Sequence, residues 1–210
     1  FSISGGTISL GNANNVATFY GVNNNGNLTF NNTGALALDR LTVVGNVNIT
    51  TNGALTQTAL AFTTNVSGTT TFSVGANPIT LTAPLFAGVG NVFTGALTLS
   101  NSGANDINIL GTSNYILAAS NIGRSLTLST NGTVTQTGAI VSANAGTLTV
   151  KTTNNSGSAI TLTNASNEFT NVDLRARNLA DNANIAAAIS YTDVTGFNVN
   201  TIGTLSTVNL

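Results

Sequence analysis

Along most of the chain an aliphatic side chain occupies every second position. Ile8-Ser9-Leu10, Leu28-Thr29-Phe30, Leu36-Ala37-Leu38, Leu41-Thr42-Val43, Val47-Asn48-Ile49 and Ile79-Thr80-Leu81 show the pattern in the first half. Leu97-Thr98-Leu99, Ile107-Asn108-Ile109, Leu126-Thr127-Leu128, Leu148-Thr149-Val150 and Ile160-Thr161-Leu162 continue it. In an extended chain neighbouring side chains point to opposite faces, so each segment offers aliphatic groups to one side and Thr, Ser or Asn to the other. The spacing predicts short, half-buried strands. Clusters of Asn and Gly separate them, as at 23–26, Asn52-Gly53 and 154–157. Both residue types tolerate left-handed backbone, so these are expected turns. Pro78 and Pro84 flank the segment Ile79–Thr82 and suit corners rather than ladder centres. Helical spacing is nearly absent. The alanine-rich run Asn184–Ser190 has some helix propensity, but it is short and ends in Tyr191-Thr192, so it is read as strand.

A longer period overlies the alternation. Val47–Thr58 reads VNITTNGALTQT, and Leu126–Thr137 reads LTLSTNGTVTQT. Gln57 and Gln136, the only two glutamines, fall at matching places. Gly68-Thr69-Thr70-Thr71 then recurs as Gly146-Thr147-Leu148-Thr149, Ile79–Thr82 as Ile160–Thr163, and Asn91-Val92-Phe93-Thr94 as Asn167-Glu168-Phe169-Thr170. The offsets vary slightly around a mean period of about 79 residues, as expected if insertions fall in turns. A propeller blade, at about 40–50 residues, is too short for such a unit. An immunoglobulin-like sandwich of about 100 residues would not run on into its neighbour. A parallel β-helix accommodates it. With coils of roughly 20 residues, the repeat spans about four coils and the chain about ten, in a rod about 50 Å long. The expected division is a partial repeat over 1–43, full repeats over 44–122 and 123–205, and a remnant at 206–210. A four-coil period places Asn52-Gly53 and Asn131-Gly132 at one corner, Leu55 and Val134 in the core, and Gln57 and Gln136 on the same face.

Composition narrows the functional classes. Thr, Asn, Gly and Ser make up 108 of 210 residues, and charged residues only 5%, against about 25% in an average soluble domain. Hydrophobic residues still reach 41%, which argues against ordinary disorder. In a stacked solenoid like charges on adjacent strands repel, which rationalises the scarcity of charge. Aligned Asn and Thr side chains are instead expected to form ladders up the stack. Five cations, Arg40, Arg124, Lys151, Arg175 and Arg177, are too few for a phosphate-tracking face, so no nucleic-acid partner is expected. No apolar run approaches the roughly 18–20 residues of a membrane-spanning helix. Cysteine and histidine are absent, and no Gly-Gly-x-Gly-x-Asp calcium repeat occurs. The chain opens on Phe1 and lacks Met, so it is expected to be a piece of a longer product.

Taken in order, [LI]-[ST]-T-N-G-x-[LV]-T-Q-T, G-T-[TL]-T, I-T-L-T and N-x-F-T resemble the repeats of filamentous-haemagglutinin-type exoproteins exported by two-partner secretion. The resemblance covers Val44 to Leu205. It implies a right-handed parallel β-helix forming the shaft of an adhesin-like fibre, outside or on the surface of a Gram-negative bacterium. It also implies an outer-membrane β-barrel partner during export and contacts with cell-surface glycans or proteins. Catalysis, cofactors and metal ions are not expected. The competing expectation is a carbohydrate-active β-helix enzyme, which needs two carboxylates about 5–9 Å apart. Asp173 and Asp193, one expected coil apart with Arg175 and Arg177 nearby, are the candidates; the plainer reading is that these charges keep a neutral rod soluble. Thr-x-Thr triplets such as Thr56/Thr58 and Thr80/Thr82 raise an ice-binding face, but their intervals are irregular. A neutral surface and open strand edges lead to the expectation that copies of the chain pack together, end to end or laterally.

Overall fold

A computed structural model describes residues 2–23, 25–58, 64–82 and 90–210. The described residues contain strands and no helix. Every strand-to-strand pairing is parallel, and the strands sort into two sheets between which the chain alternates. The first sheet stacks Ser2–Ser4, Thr18–Asn23, Leu36–Val43, Leu55–Gln57, Ile79–Leu81, Ile107–Leu110, Leu126–Thr130, Thr147–Thr153, Asn171–Arg177 and Asn198–Gly203, in that order. The second stacks Ile8–Asn14, Leu28–Asn32, Val47–Thr51, Thr70–Ser73, Leu97–Ser100, Tyr115–Leu117, Val134–Gln136, Ile160–Leu162, Ile189–Tyr191 and Val208–Asn209. Short strands extend the rungs beyond a corner, Thr64–Val66 and Val92–Phe93 beside the first sheet, Ser120–Ile122 and Ile140–Ser142 beside the second. This is the expected all-β parallel solenoid. Ten rungs per sheet make nine complete turns, or a rod about 43 Å long at ~4.8 Å per turn.

All eleven alternating segments are strands or lie within one. Their aliphatic positions point between the sheets and form one core cluster. A single inward column runs Leu36, Leu55, Ile79, Ile107, Leu126, Leu148, Val172, Val199, each paired with the next. From Leu36 to Val172 these side chains are sealed from solvent, while Val199 is half exposed. Aromatic rings fill the wider coils: Phe72, Phe93 and Tyr115 pack in sequence with centroids 5.9 Å apart. Phe93 and Phe169, from the N-x-F-T motif, are both buried.

Two expectations are refined. The run Asn184–Ser190 is neither helix nor a full strand, since the strand covers only Ile189–Tyr191. Asparagines do link successive coils, but mainly through backbone: Asn27 Oδ1 accepts from Asn46 N at 2.8 Å, and Asn46 Oδ1 from Thr69 N at 2.9 Å. Asn114 Oδ1 does the same for Thr133 N at 2.9 Å. These acceptors satisfy corner amides that turn away from the ladder and would otherwise lack a partner. Pro78 sits at a corner, its carbonyl accepting from Leu55 N; Pro84 lies outside the described residues.

The length of the repeat in coils is corrected. Leu55–Gln57 belongs to the first sheet and Val134–Gln136 to the second. Between them the chain crosses from sheet to sheet seven times, so one repeat spans three and a half coils rather than four. Leu55 and Val134 are both fully buried, as expected. The two glutamines, however, lie on opposite sheets, and Asn52-Gly53 and Asn131-Gly132 occupy opposite corners. The cause is coil length. The coil that carries Ile79 to its partner Ile107 consumes far more chain than the one that carries Leu36 to Leu55, because corners carry insertions.

Candidate functional site

The half-coil offset makes the two repeats copies related by a half turn about the rod axis. Their buried chemistry is the same in both. In the first, Gln57 Nε2 donates to Asn91 Oδ1 at 2.7 Å and Asn91 Nδ2 donates back to Gln57 Oε1 at 3.2 Å. In the second, Gln136 Nε2 donates to Asn167 Oδ1 at 2.8 Å and Asn167 Nδ2 returns to Gln136 Oε1 at 2.9 Å. Each asparagine also binds the backbone. Asn91 accepts from Thr64 N and donates to Leu81 O and Leu110 O. Asn167 accepts from Ile140 N and donates to Leu162 O and Thr192 O. Both asparagines are buried, and a buried amide is tolerated only when its donors and acceptors are filled. These reciprocal pairs explain why the glutamines recur with the N-x-F-T motif.

The outward faces of the two repeats differ. In the first repeat the strands Val47–Thr51, Thr70–Ser73 and Leu97–Ser100 align two surface columns on the second sheet: Asn48, Thr71, Thr98 and Thr50, Ser73, Ser100. In the second repeat the matching strands lie on the first sheet and align Thr127, Thr149, Asp173 and Ser129, Lys151, Arg175. Three neutral positions have become Lys, Asp and Arg. The Asp173 carboxylate takes both Arg175 Nε and Nη2 at 2.6 Å, a bidentate pair. Lys151 Nζ reaches Asp181 Oδ2 at 2.5 Å, and Arg177 Nε reaches Asp181 Oδ1 at 3.1 Å. Five of the chain's eleven charged residues therefore share one patch. Partial burial works to raise the Asp181 pKa, but hydrogen bonds from Lys151 and Arg177 outweigh it and hold the carboxyl below its ordinary value. A groove of about 320 Å³ lies over the two columns.

Asp173 and Asp193 do not stack. Asp173 is in the first sheet, and Asp193 follows the second-sheet strand Ile189–Tyr191, half a coil later. Asp193 is a corner acceptor: its Oδ2 takes Phe169 N at 3.0 Å and the Tyr191 hydroxyl at 2.7 Å, and its Oδ1 takes Thr195 N and Gly196 N. Burial, and then this carboxylate, push the Tyr191 pKa upward. The candidate pair is thus divided between two structural tasks, and Arg175 and Arg177 serve different acids. Asp106 holds Arg124 by two hydrogen bonds at another corner. That contact lowers the Asp106 pKa despite some opposing burial. Among the described residues no three acidic side chains gather where they could hold a metal ion. The Thr-x-Thr triplets divide between the sheets, with Thr56 and Thr80 on the first and Thr135 and Thr161 on the second.

Stacked half-coil units, buried amide pairs and a variable outer surface define a β-solenoid repeat protein. Residues 25–100 and 104–175 match the family described as Repeats of unknown function (DUF5649), and the two copies start one motif period apart. They cover more than half of the chain, which belongs to this repeat family. No curated protein and no solved structure matches the chain.

Proposed function

We propose that this chain is a shaft segment of a fibrous bacterial exoprotein, adhesin-like and without catalysis. The supporting observation is the sealed inward column from Leu36 to Val172, which carries one repeat into the next by continuous parallel pairing. Stability in such an array is shared between neighbours, so length can be added in units. The motif resemblance described above supports a location outside or on the surface of a Gram-negative cell, with export through an outer-membrane β-barrel partner. Surface glycans or proteins are the partners of the whole fibre.

The test is deletion of one full repeat, residues 44–122, from the parent protein, with fibre length measured by electron microscopy. Three and a half coils at ~4.8 Å each predict a shortening of about 17 Å. Because the deleted length is an odd number of half-coils, everything beyond the junction also turns by half a revolution. Unchanged length, or a parent particle without a rod, would overturn the proposal.

A second reading, a self-assembling fibre without an adhesive role, draws on the uncharged face of the second sheet. Thr29, Asn48, Thr71, Thr98 form one column there and Asn31, Thr50, Ser73, Ser100 the other. Two copies meeting on this face share the same rise per coil, and no like charges oppose the contact. Thr71→Lys and Thr98→Lys would disperse lateral bundles into single rods. Fibres that are single rods before the substitution count against this reading.

A further inference from the structure

The internal repeat supplies its own control. The two faces have equivalent strands in the same pairing and the same alternation of inward and outward positions, although Thr70 and Phe72 stand inward in the first where the second has Leu148 and Val150. The first repeat builds its face from Asn, Thr and Ser alone, so the fold does not require charge at these six positions. In the second repeat the charges stand against the usual economy of a stacked sheet. Lys151 lies directly beside Arg175 on the adjacent strand, and like charges so placed repel. Asp173 and Asp181 hold the cations in position without neutralising the patch, because Lys151, Arg175 and Arg177 outnumber the two acids.

We propose that this face, under the groove over Thr127, Ser129, Thr149, Lys151, Asp173 and Arg175, binds an acidic polysaccharide. The chemistry matches such a ligand in three respects. Lys151 and Arg175 stack one above the other and form a cationic column for carboxylate or sulfate groups, with the guanidinium locked at Nε and Nη2 and its Nη1 left to donate. The hydroxyls of Thr127, Ser129 and Thr149 lie half exposed beside them and serve sugar hydroxyls as donors or acceptors. Asp173 is the acceptor that follows Thr149 in its column, and only 16% of its side chain is exposed. The equal rise from coil to coil presents these groups periodically, as a polymer of identical sugars would present its own. The proposal is independent of the shaft reading, since a rod can carry this groove or lack it.

The test uses the full chain and a variant in which the second face is given the first repeat's residues, Lys151→Ser, Asp173→Thr and Arg175→Ser. Retention on immobilised polygalacturonate, a sulfated galactan and neutral dextran is measured by affinity electrophoresis across a salt series. The expected result is retention on at least one acidic polymer, weakened at least tenfold by the triple variant, reduced by added salt and absent on dextran. The first repeat shows that the variant's residues are compatible with the fold, and circular dichroism checks it. Lys151→Ser alone, which leaves the Asp173–Arg175 pair intact, is expected to give an intermediate loss. Equal retention of parent and triple variant, equal retention on dextran, or no retention on either acidic polymer would overturn the proposal. So would full competition by millimolar inorganic sulfate, which would indicate a simple anion site. Failure here leaves the repeat-deletion measurement untouched, and failure of that measurement leaves this one standing.

Discussion

Asn167 offers the sharpest test of how the repeat is held together. Its amide makes five hydrogen bonds between 2.8 and 3.2 Å, two with Gln136 and one each with Ile140 N, Leu162 O and Thr192 O. The side chain is fully sealed from solvent. Asn167→Ala removes all five. A hydrogen bond contributes about 0.5–1.5 kcal/mol net, and more is lost where a buried partner is left unfilled. Leu162 O keeps a second donor, Thr192 N at 3.0 Å. The Gln136 amide is half-buried and can reach water. The buried Ile140 amide is then the group stranded by truncation, while the Thr192 carbonyl, on a half-buried residue, loses its bond but can reach water. Working from these, the expected loss is about 3–4 kcal/mol. Gln136→Ala, at a half-buried position, should cost about 1–2 kcal/mol, and the double variant should show a coupling of about 1 kcal/mol or more. Urea unfolding gives the overall loss. Solenoids can open in stages, so amide exchange at Ile140 supplies the local readout. A loss below about 1 kcal/mol, or an Ile140 amide whose exchange does not quicken, would refute the interlock as a structural device. Asn91→Ala should behave alike, half a turn away.

Other expectations follow from the same geometry. Gly132→Ala should destabilise by about 1–3 kcal/mol, because a Cβ there meets the backbone of Asn114 in the neighbouring coil, whereas Gly11→Ala, with open space around it, should be nearly silent in thermal melts. Leu174→Ala, at a fully buried position, should cost about 2–5 kcal/mol by urea unfolding. Asp106 and Asp181 titrate below their ordinary value of 3.8 in the folded chain. Their contribution to stability is therefore complete above about pH 4 and is lost as pH falls through the folded-state values, and Asp106→Asn with Asp181→Asn should flatten that acid limb in a pH series of melts.

The surface chemistry explains why the candidate site was only partly visible beforehand. Asp173, Arg175 and Arg177 stand out in a chain so poor in charge, and the structure does gather the first two into one groove. Lys151 lies well before Asp173 in the chain, and nothing in the linear order marks it as a neighbour; register alone puts it beside Arg175. Asp193 looked like the partner because its separation from Asp173 along the chain approximates one coil. The intervening corner is long, and the chain reaches Asp193 on the other sheet.

Much of the architecture was already determined by the amino-acid order. Alternation decides inside from outside residue by residue, since burying an aliphatic face outweighs other local preferences. Recurrence of whole motifs makes the inside of one repeat equivalent to that of the next, so Leu55 and Val134 had to be buried together. What alternation cannot specify is which sheet a strand joins, because both sheets have the same pattern and the same core. That assignment depends on how much chain each corner consumes. Coils as unequal as those ending at Leu55 and at Ile107 arise from corner insertions that the alternation does not register. Only the pairing in three dimensions counts the crossings. It converts the motif period into seven half-coils and places Gln57 and Gln136 on opposite sides of the rod. Each glutamine still finds the asparagine of its own repeat, since that contact is made within the repeat and is unaffected by the half turn between copies.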